Sequence, residues 1–132
     1  MSYSQAQITS LDDFQWKNRL LIIYLADQKS AQLKKQLDEI EQIEKGYKER
    51  DLKIILLKNQ KVEIWKSNKN HNLQFNQIIK ELDIDESKYY QNLLIGKDGG
   101  VKLRSNSPIS NVNLFNTIDA MPMRQREMKD GY

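Results

Sequence analysis

The chain has 132 residues, of which 39% are hydrophobic and 30% are charged, and these proportions fit one folded domain and not a disordered polymer. Its 21 basic residues outnumber its 18 acidic residues only slightly, and the resulting charge of +3 does not by itself indicate a nucleic-acid partner. The absence of cysteine excludes a disulfide, a zinc–thiolate site and a thiol nucleophile built from the chain's own residues.

The polar start of the chain predicts a flexible lead-in over residues 1–10, followed by a single domain over residues 11–132. The lead-in lacks the basic stretch and the apolar core of a secretory signal. The longest apolar run, residues 20–26, is too short to span a bilayer. We therefore expect a cytoplasmic protein, or an exported one whose leader lies outside this sequence.

The first half of the chain predicts two strands joined by a helix. Residues 19–26 form a continuous apolar run, as expected of a central strand that is covered on both faces, and residues 52–57 form a second such run. Residues 31–50 predict an amphipathic helix with a buried face of Leu33, Leu37, Ile40, Ile43 and Tyr47. Strand, helix and strand indicate a right-handed parallel unit, and residues 62–65 predict a short additional strand at an edge.

The second half predicts a helix, a hairpin and a last helix. The first of these helices has Asn70 or Asn72 as its cap and an apolar face of Phe75, Ile78, Ile79 and Leu82. Residues 93–104 predict two strands with a tight turn at residues 98–100, because glycine adopts the positive torsions that a hairpin needs. The last helix is capped by Ser110, and its buried face holds Leu114, Phe115, Ile118 and Met121.

This order of elements predicts an α/β fold: a three-layer sandwich with a mixed central sheet and helices on both faces, which is the thioredoxin-like arrangement. Residues 94–104, with their glycine pair, and residues 114–128, with the run Met-Pro-Met-Arg-Gln, resemble the family nicknamed DUDES, as do residues 19–22 and 49–52. This family is a domain of unknown function, found singly in bacteria and repeated in some secreted matrix proteins of animals. It is regarded as peroxiredoxin-like or thioredoxin-like, and the resemblance covers nearly the whole chain.

The resemblance implies a fold without its usual chemistry. In thiol oxidoreductases of this fold, the nucleophilic cysteine lies where the first strand meets the first helix. Here that junction contains no sulfur and consists of Asp27, Gln28, Lys29 and Ser30. Thiol–disulfide exchange and cysteine-dependent peroxide reduction therefore cannot run on this chain's own residues. We expect no cofactor and no metal.

Two groups of residues are candidate sites. The junction residues Asp27, Gln28, Lys29 and Ser30 could hold an anion at the N–H groups of the helix start, although polar caps are also what any helix start needs. The second group is a basic surface on the hairpin and the tail, made of Lys97, Lys102, Arg104, Arg124 and Arg126. Alternatively, Arg124 and Arg126 pair with Asp119 or Glu127, or cover apolar surface.

Three further features have simple structural interpretations. The only histidine, His71, lies in a polar loop and is expected to be solvated. Trp16 and Trp65 are expected to be core or rim aromatics and not ligand platforms. The methionines at the C-terminal end could make an adaptable contact surface for a partner, or could seal the open end of the sheet. These are Met121, Met123 and Met128.

The leading hypothesis is a binding or structural module without thiol redox activity, which binds an unknown protein or a small anionic ligand. The competing hypothesis is an enzyme that acts on a small anionic substrate through the loop between the first strand and the first helix. We do not expect a nucleic-acid or membrane partner. The edge formed by residues 62–65 leaves dimerisation open.

Overall fold

The computed structural model describes residues 7–26 and 30–131. The strands of this part of the chain are β1 (Arg19–Leu25), β2 (Leu52–Lys58), β3 (Lys61–Ile64), β4 (Tyr90–Ile95) and β5 (Val101–Ser105). Its helices are α1 (Ala31–Gln42), α2 (Glu44–Glu49), α3 (Phe75–Glu81), α4 (Asn111–Asp119) and α5 (Pro122–Lys129), and a short 3-10 helix spans Leu11–Phe14. No helix in the described ranges is long and apolar enough to cross a membrane.

The strands form one sheet in the order β3, β2, β1, β4 and β5. All seven residues of the central strand β1 are buried, because the sheet is covered on both faces and both sets of alternating side chains enter a core. β1 runs parallel to β2, with Arg19 opposite Leu52, and antiparallel to β4, with Leu20 opposite Ile95. The predicted parallel pair, the hairpin and the edge position of β3 are therefore confirmed.

Two apolar cores lie on the two faces of the sheet. Side chains of α3 and of the 3-10 helix pack on one face, where they contact β1 residues Leu20, Ile22 and Tyr24. Side chains of α1, α2 and α4 pack on the other face, against Leu21, Ile23 and Leu25. The structure thus has the predicted α/β arrangement of a mixed sheet between helical layers. Residues 7–10, from the predicted lead-in, contact this core through Ile8.

The predicted first helix is divided into two helices. Ile43 has φ −149° and ψ 57°, so it ends α1 and precedes α2. Its place on the predicted buried face is wrong, because its side chain is 47% exposed, whereas Ile40 and Tyr47 are buried. After this break, α2 approaches α4 closely: a Cβ atom at Gly46 would lie 2.8 Å from the ring of Phe115. Glycine is the residue that permits this distance.

The predicted cap of α3 is also wrong. Gln74 is the N-cap residue, and its side chain makes no capping hydrogen bond. The residues before Gln74 pair with the N-terminal segment and do not cap the helix. Ile8 pairs with His71, and the carbonyl of Ile8 accepts a hydrogen bond from the N–H of Asn72. The predicted cap of α4 is confirmed, because the hydroxyl of Ser110 accepts from the N–H of Asn113 at 3.2 Å.

The turn of the hairpin is longer than the tight turn predicted. Residues 96–100 connect β4 to β5, and the N–H of Gly99 donates to the carbonyl of Gly96 at 3.0 Å. Gly99 has φ +88°, a torsion that side chains with a Cβ atom rarely adopt. Asp98 supports the turn, because its carboxylate accepts from the N–H of Gly100 at 2.9 Å.

We predict that Gly99→Ala lowers the free energy of unfolding by about 1 kcal/mol, because alanine is strained at this positive φ. The loss reflects the backbone and not a clash, since a Cβ atom at Gly99 would lie in ordinary contact with Gln15 at 3.5 Å. Gly99→Asn should lower the free energy of unfolding by less, because asparagine tolerates the left-handed region better than alanine does. Urea denaturation measures the difference, and equal stability of all three proteins would contradict this account of the turn.

Candidate functional site

A cluster of charged side chains lies at the end of the sheet where β1 and β2 begin. It joins the start of β1, the corner between α2 and β2, the hairpin turn and the two C-terminal helices. We call it the ion cluster, and its members are Arg19, Arg50, Asp51, Lys97, Asp119, Arg124 and Glu127.

Glu127 on α5 is the centre of the ion cluster. Its two carboxylate oxygens accept hydrogen bonds from Nη1 and Nη2 of Arg19 at 3.1 Å each, and Oε2 also accepts from Nζ of Lys97 at 2.7 Å. All three residues are buried: Arg19 is 1% exposed, Lys97 7% and Glu127 8%. A two-pronged arginine–carboxylate contact is among the strongest charge-assisted hydrogen bonds, and buried charges need such partners.

Asp119, near the end of α4, is the second shared carboxylate. It accepts from Nη2 of Arg50 at 2.8 Å and from Nε of Arg124 at 3.0 Å. The guanidinium of Arg50 also lies over the ring of Phe115, 3.9 Å from its centroid. Arg124 is 2% exposed and pairs with both Asp119 and Glu127, which is the alternative that the sequence left open for this residue.

The pairing in the ion cluster favours the ionised forms of Glu127 and Asp119. Burial opposes the ionisation of Glu127, but the hydrogen bonds from Arg19 and Lys97 outweigh it, so the pKa of Glu127 lies below its usual value of 4.5. Burial likewise opposes the ionisation of Asp119, and its bonds to two arginines hold the pKa below the usual 3.8. These groups are fixed charges at neutral pH and do not exchange protons.

The remaining residues of the predicted basic surface are Lys102, Arg104 and Arg126. Lys102 donates to the carboxylate of Asp98 in the hairpin turn at 2.8 Å. Arg104 on β5 donates to the backbone carbonyls of Leu82 and Asp83 at 2.6 and 3.4 Å, at the end of α3 where a cation is favourable. Arg126 is exposed on α5. The structure therefore brings Lys97 and Arg124 together on the chain's own carboxylates and places Arg104 elsewhere.

At the junction of β1 and α1, three of the four candidate residues, Asp27, Gln28 and Lys29, lie outside the described residues. The fourth, Ser30, caps α1: its hydroxyl accepts from the N–H of Leu33 at 3.3 Å. This hydrogen bond agrees with the capping role that the sequence favoured for the junction.

A buried amide pair further along α1 was missed by the sequence analysis. Oε1 of Gln36 accepts from Nδ2 of Asn92 at 2.6 Å and from the N–H of Ile109 at 2.7 Å, and both amide residues are 0% exposed. Neutral amides supply neither a nucleophile nor a general acid or base, so the pair connects α1 to β4 and to the loop before α4. The signal in the sequence is the pair Gln91 and Asn92, which precedes the apolar residues 93–95 in one strand.

An open cleft lies beside the ion cluster and has a volume of about 560 Å³. We call it the Trp16 cleft, and it is lined by Trp16, Arg19, Gly96, Lys97, Asp98, Lys102, Thr117, Ala120, Met121, Pro122 and Met123. Its large apolar side chains face solvent, since Trp16 is 63% exposed and Met123 is 38% exposed. Its buried cations are already paired with carboxylates, so the chemistry that the cleft offers is mainly apolar contact.

The backbone of Trp16 has an unusual conformation. Its φ of +68° lies in the left-handed region, which is rarely occupied by a bulky aromatic residue. The N–H of Trp16 donates to the carbonyl of Lys97 at 2.6 Å, and this bond ties the residue to the hairpin turn. The indole lines the cleft and is largely exposed, so Trp16 is not a core aromatic, and its position agrees with the rim aromatic that the sequence also allowed.

Within the described ranges, no group of three or more histidine, aspartate or glutamate side chains is arranged to hold a metal.

Comparisons with known proteins identify a family and a fold. The sequence model of a family described as a domain of unknown function, DUF4174, matches residues 10–127. No curated protein matches the sequence. A reduced 2-Cys peroxiredoxin of Plasmodium vivax has a similar structure, with a TM-score of 0.60 and 14% identity over 88% of this chain and 84% of that chain.

Two other solved structures are similar. The exposed lipoprotein thioredoxin Etrx1 of Streptococcus pneumoniae has a TM-score of 0.56 and 11% identity, over 84% of this chain and 90% of that chain. Thioredoxin peroxidase I of Plasmodium yoelii has a TM-score of 0.52 and 18% identity, over 92% of this chain and 81% of that chain. At these identities the similarity shows the fold alone, and it confirms the predicted thioredoxin-like fold.

We predict that Glu127→Gln lowers the free energy of unfolding by about 3 kcal/mol, because Arg19 and Lys97 then stay buried without their shared counter-charge. Chemical denaturation measures the loss. The matched control is Asp38→Asn, which removes the carboxylate paired with the exposed Lys34 and should leave stability close to that of the wild type. Equal effects of the two substitutions would contradict a structural role for the ion cluster.

The ion cluster should also make the fold sensitive to acid. Since the pKa values of Glu127 and Asp119 are lowered by folding, the unfolded chain takes up protons first as the pH falls. The stabilisation from both carboxylates is complete above their usual values of 4.5 and 3.8, and it is lost as the pH falls through the lower values of the folded protein. The free energy of unfolding, measured across this range, should fall more steeply for the wild type than for Glu127→Gln. Parallel curves would contradict the prediction.

Proposed function

Since the chain belongs to the DUF4174 family of domains of unknown function, its role has to be inferred from its own surfaces, and we propose that it is a binding module. The module takes up an apolar side chain of a partner polypeptide in the Trp16 cleft. The observation that supports this proposal is a concave site on which Trp16 and Met123 are exposed together. Thiol redox activity is not part of the function, because the chain has no cysteine.

The chemistry of the Trp16 cleft suits a polypeptide partner. Tryptophan and methionine are enriched in the cores of protein interfaces, and a methionine side chain adapts its shape to the group that it contacts. Exposed apolar residues around a concavity mark interaction sites more reliably than scattered ones do. An apolar side chain that enters the cleft would cover Met121 and Met123 and would place its backbone near the indole of Trp16.

The ion cluster makes the cleft a preformed site. Glu127 holds α5 against the start of β1 and against Lys97 of the hairpin turn, and residues of all three elements line the cleft. A site that is already ordered loses less conformational entropy when it binds, so a modest apolar contact is sufficient for specific affinity.

The competing hypothesis, an enzyme that acts on a small anionic substrate through residues 27–30, stays a prediction. Ser30 uses its hydroxyl to cap α1, and the buried polar pair that joins α1 to β4 consists of the neutral amides of Gln36 and Asn92. No observation on the described residues supplies Ser30 with a base.

Selection from a displayed peptide library tests the proposed binding. We expect the enriched peptides to share a large apolar residue, and we expect binding to change the fluorescence of Trp16 in a Trp65→Phe background. Met123→Glu should weaken the binding of the enriched peptides by at least about tenfold, because it places a charge on the wall of the cleft.

The matched control is Met128→Glu on the same helix. Met128 is 41% exposed, close to the 38% of Met123, but it does not line the cleft. This variant should bind as the wild type does. A library that yields no enriched peptide, or equal losses in the two glutamate variants, would contradict the proposal.

A further inference from the structure

A second cleft, with a volume of about 700 Å³, lies at the same end of the sheet but on the other face. Three lysines from separate parts of the chain and the only histidine line it: Lys17, Lys53, Lys69 and His71. We call it the His71 cleft. Lys53 points to this face because it alternates along β2 with Ile54 and shares the face of Ile55, which packs under α3.

The His71 cleft carries uncompensated positive charge. Among the described residues, no carboxylate lies within 4.0 Å of the ammonium groups of Lys17, Lys53 or Lys69, whereas the lysines of the ion cluster and of the hairpin are paired. Asp13 also lines the cleft, and its carboxylate accepts from the N–H groups of residues 9 and 10. Three lysines and one carboxylate give the lining a positive excess. This excess is similar in magnitude to the charge of about −2 that a phosphate monoester carries near neutral pH.

Hydrogen-bond donors accompany this charge. Nδ1 of His71 accepts from the N–H of Leu73 at 3.2 Å, so the proton of the neutral ring is on Nε2 and remains a donor. Oγ of Ser67, which also lines the cleft, accepts from the N–H of Lys69 at 3.2 Å, which leaves the hydroxyl proton to donate. Lysine ammonium groups with N–H and O–H donors are the groups that bind phosphate oxygens.

The loop that carries these groups is held in place. Ile8 pairs with His71, and the N–H of Asn72 donates to the carbonyl of Ile8 at 2.7 Å. Apolar side chains complete the cleft: Ile8, Phe14 and Ile64 line it beside the charged groups. The volume lies within the range of about 300 to 1,000 Å³ that is typical of small-molecule sites. The cleft thus combines charged groups and apolar side chains in one site.

We propose that the His71 cleft binds a small organic phosphate. The phosphate group contacts the lysines and Nε2 of His71, and an apolar or aromatic body of the ligand lies against the apolar lining of the cleft, of which Ile8 is the partly exposed member. The excess charge favours a phosphate dianion over a single carboxylate, and the apolar lining favours an ester over the free inorganic ion. The site is independent of the Trp16 cleft, which lies on the other side of the start of β1.

Proton NMR tests this proposal with phenyl phosphate, inorganic phosphate and phenol as probes. Because His71 is the only histidine, its Hε1 signal reports on this cleft alone. At neutral pH and low ionic strength we expect a saturable shift with phenyl phosphate, weaker binding of inorganic phosphate and no shift with phenol. The proposal is wrong if phenyl phosphate gives no saturable shift, or if either of the other probes binds as tightly.

Charge-removing variants locate the site. Lys53→Met and Lys69→Met keep an apolar side chain of similar length but remove the charge. Each should weaken the binding of phenyl phosphate by about tenfold. Lys69 lies in an exposed loop, so its variant remains informative if Lys53→Met fails to fold. The matched control is Lys88→Met, which makes the same change in net charge beside Tyr89, at the far end of β1. Binding should be unchanged in this control, and a loss equal to that of Lys53→Met would overturn the proposal.

Discussion

The carboxylate of Glu127 is the contact on which this end of the structure depends. It joins the last helix to Arg19, 108 residues away in sequence, and to Lys97 in the hairpin turn. The residues of α5 that are buried are Arg124 and Glu127, both charged, so charge pairing and not apolar packing attaches this helix to the sheet. A network of this kind adds little net stability compared with apolar residues of the same size, but the loss of one partner is costly. The ion cluster therefore determines where α5 lies more than how stable the fold is.

The position of the ion cluster explains where the two clefts form. Side chains alternate along a strand, so Arg19 at the start of β1 enters the face that carries α4, whereas Lys53 near the start of β2 enters the face that carries α3. The face that holds the paired cation has an apolar cleft beside it, and the other face has unpaired cations in an open cleft. Both proposed sites lie near the start of β1, away from the junction of β1 and α1 that the sequence suggested as a candidate site. The fold thus leaves its function to be decided by surfaces particular to this chain.

Elements whose evidence is local could be predicted from the sequence. The apolar runs of β1 and β2 and the cap at Ser110 depend on neighbouring residues, and these predictions agree with the structure. The hairpin was predicted as well, but its turn is longer than expected. Predictions that depended on distant contacts were wrong or incomplete. The pairing of Ile8 with His71 displaces the expected cap of α3, and no periodicity connects Arg19 to Glu127. Basic residues were recognised as a group, but only the folded chain shows which of them its own carboxylates neutralise.

The two clefts differ because the cations beside one of them are paired with carboxylates of the chain, whereas the lysines of the other are not paired within the part of the chain that the structure describes. Lys97 is a poor anion receptor, because Asp51 and Glu127 already accept its hydrogen bonds, and its burial leaves mainly apolar neighbours exposed. Exposure of apolar side chains is not sufficient evidence of a binding site, since Met128 is as exposed as Met123 on the same helix and lies outside the cleft. Met123 differs from Met128 because it lines a concave surface, and Trp16 lines the same surface. The backbone of Trp16 is strained, and its N–H is bonded to the hairpin turn that supplies Lys97. Strained residues persist where the surrounding structure holds them in place, which here is the rim of the apolar cleft.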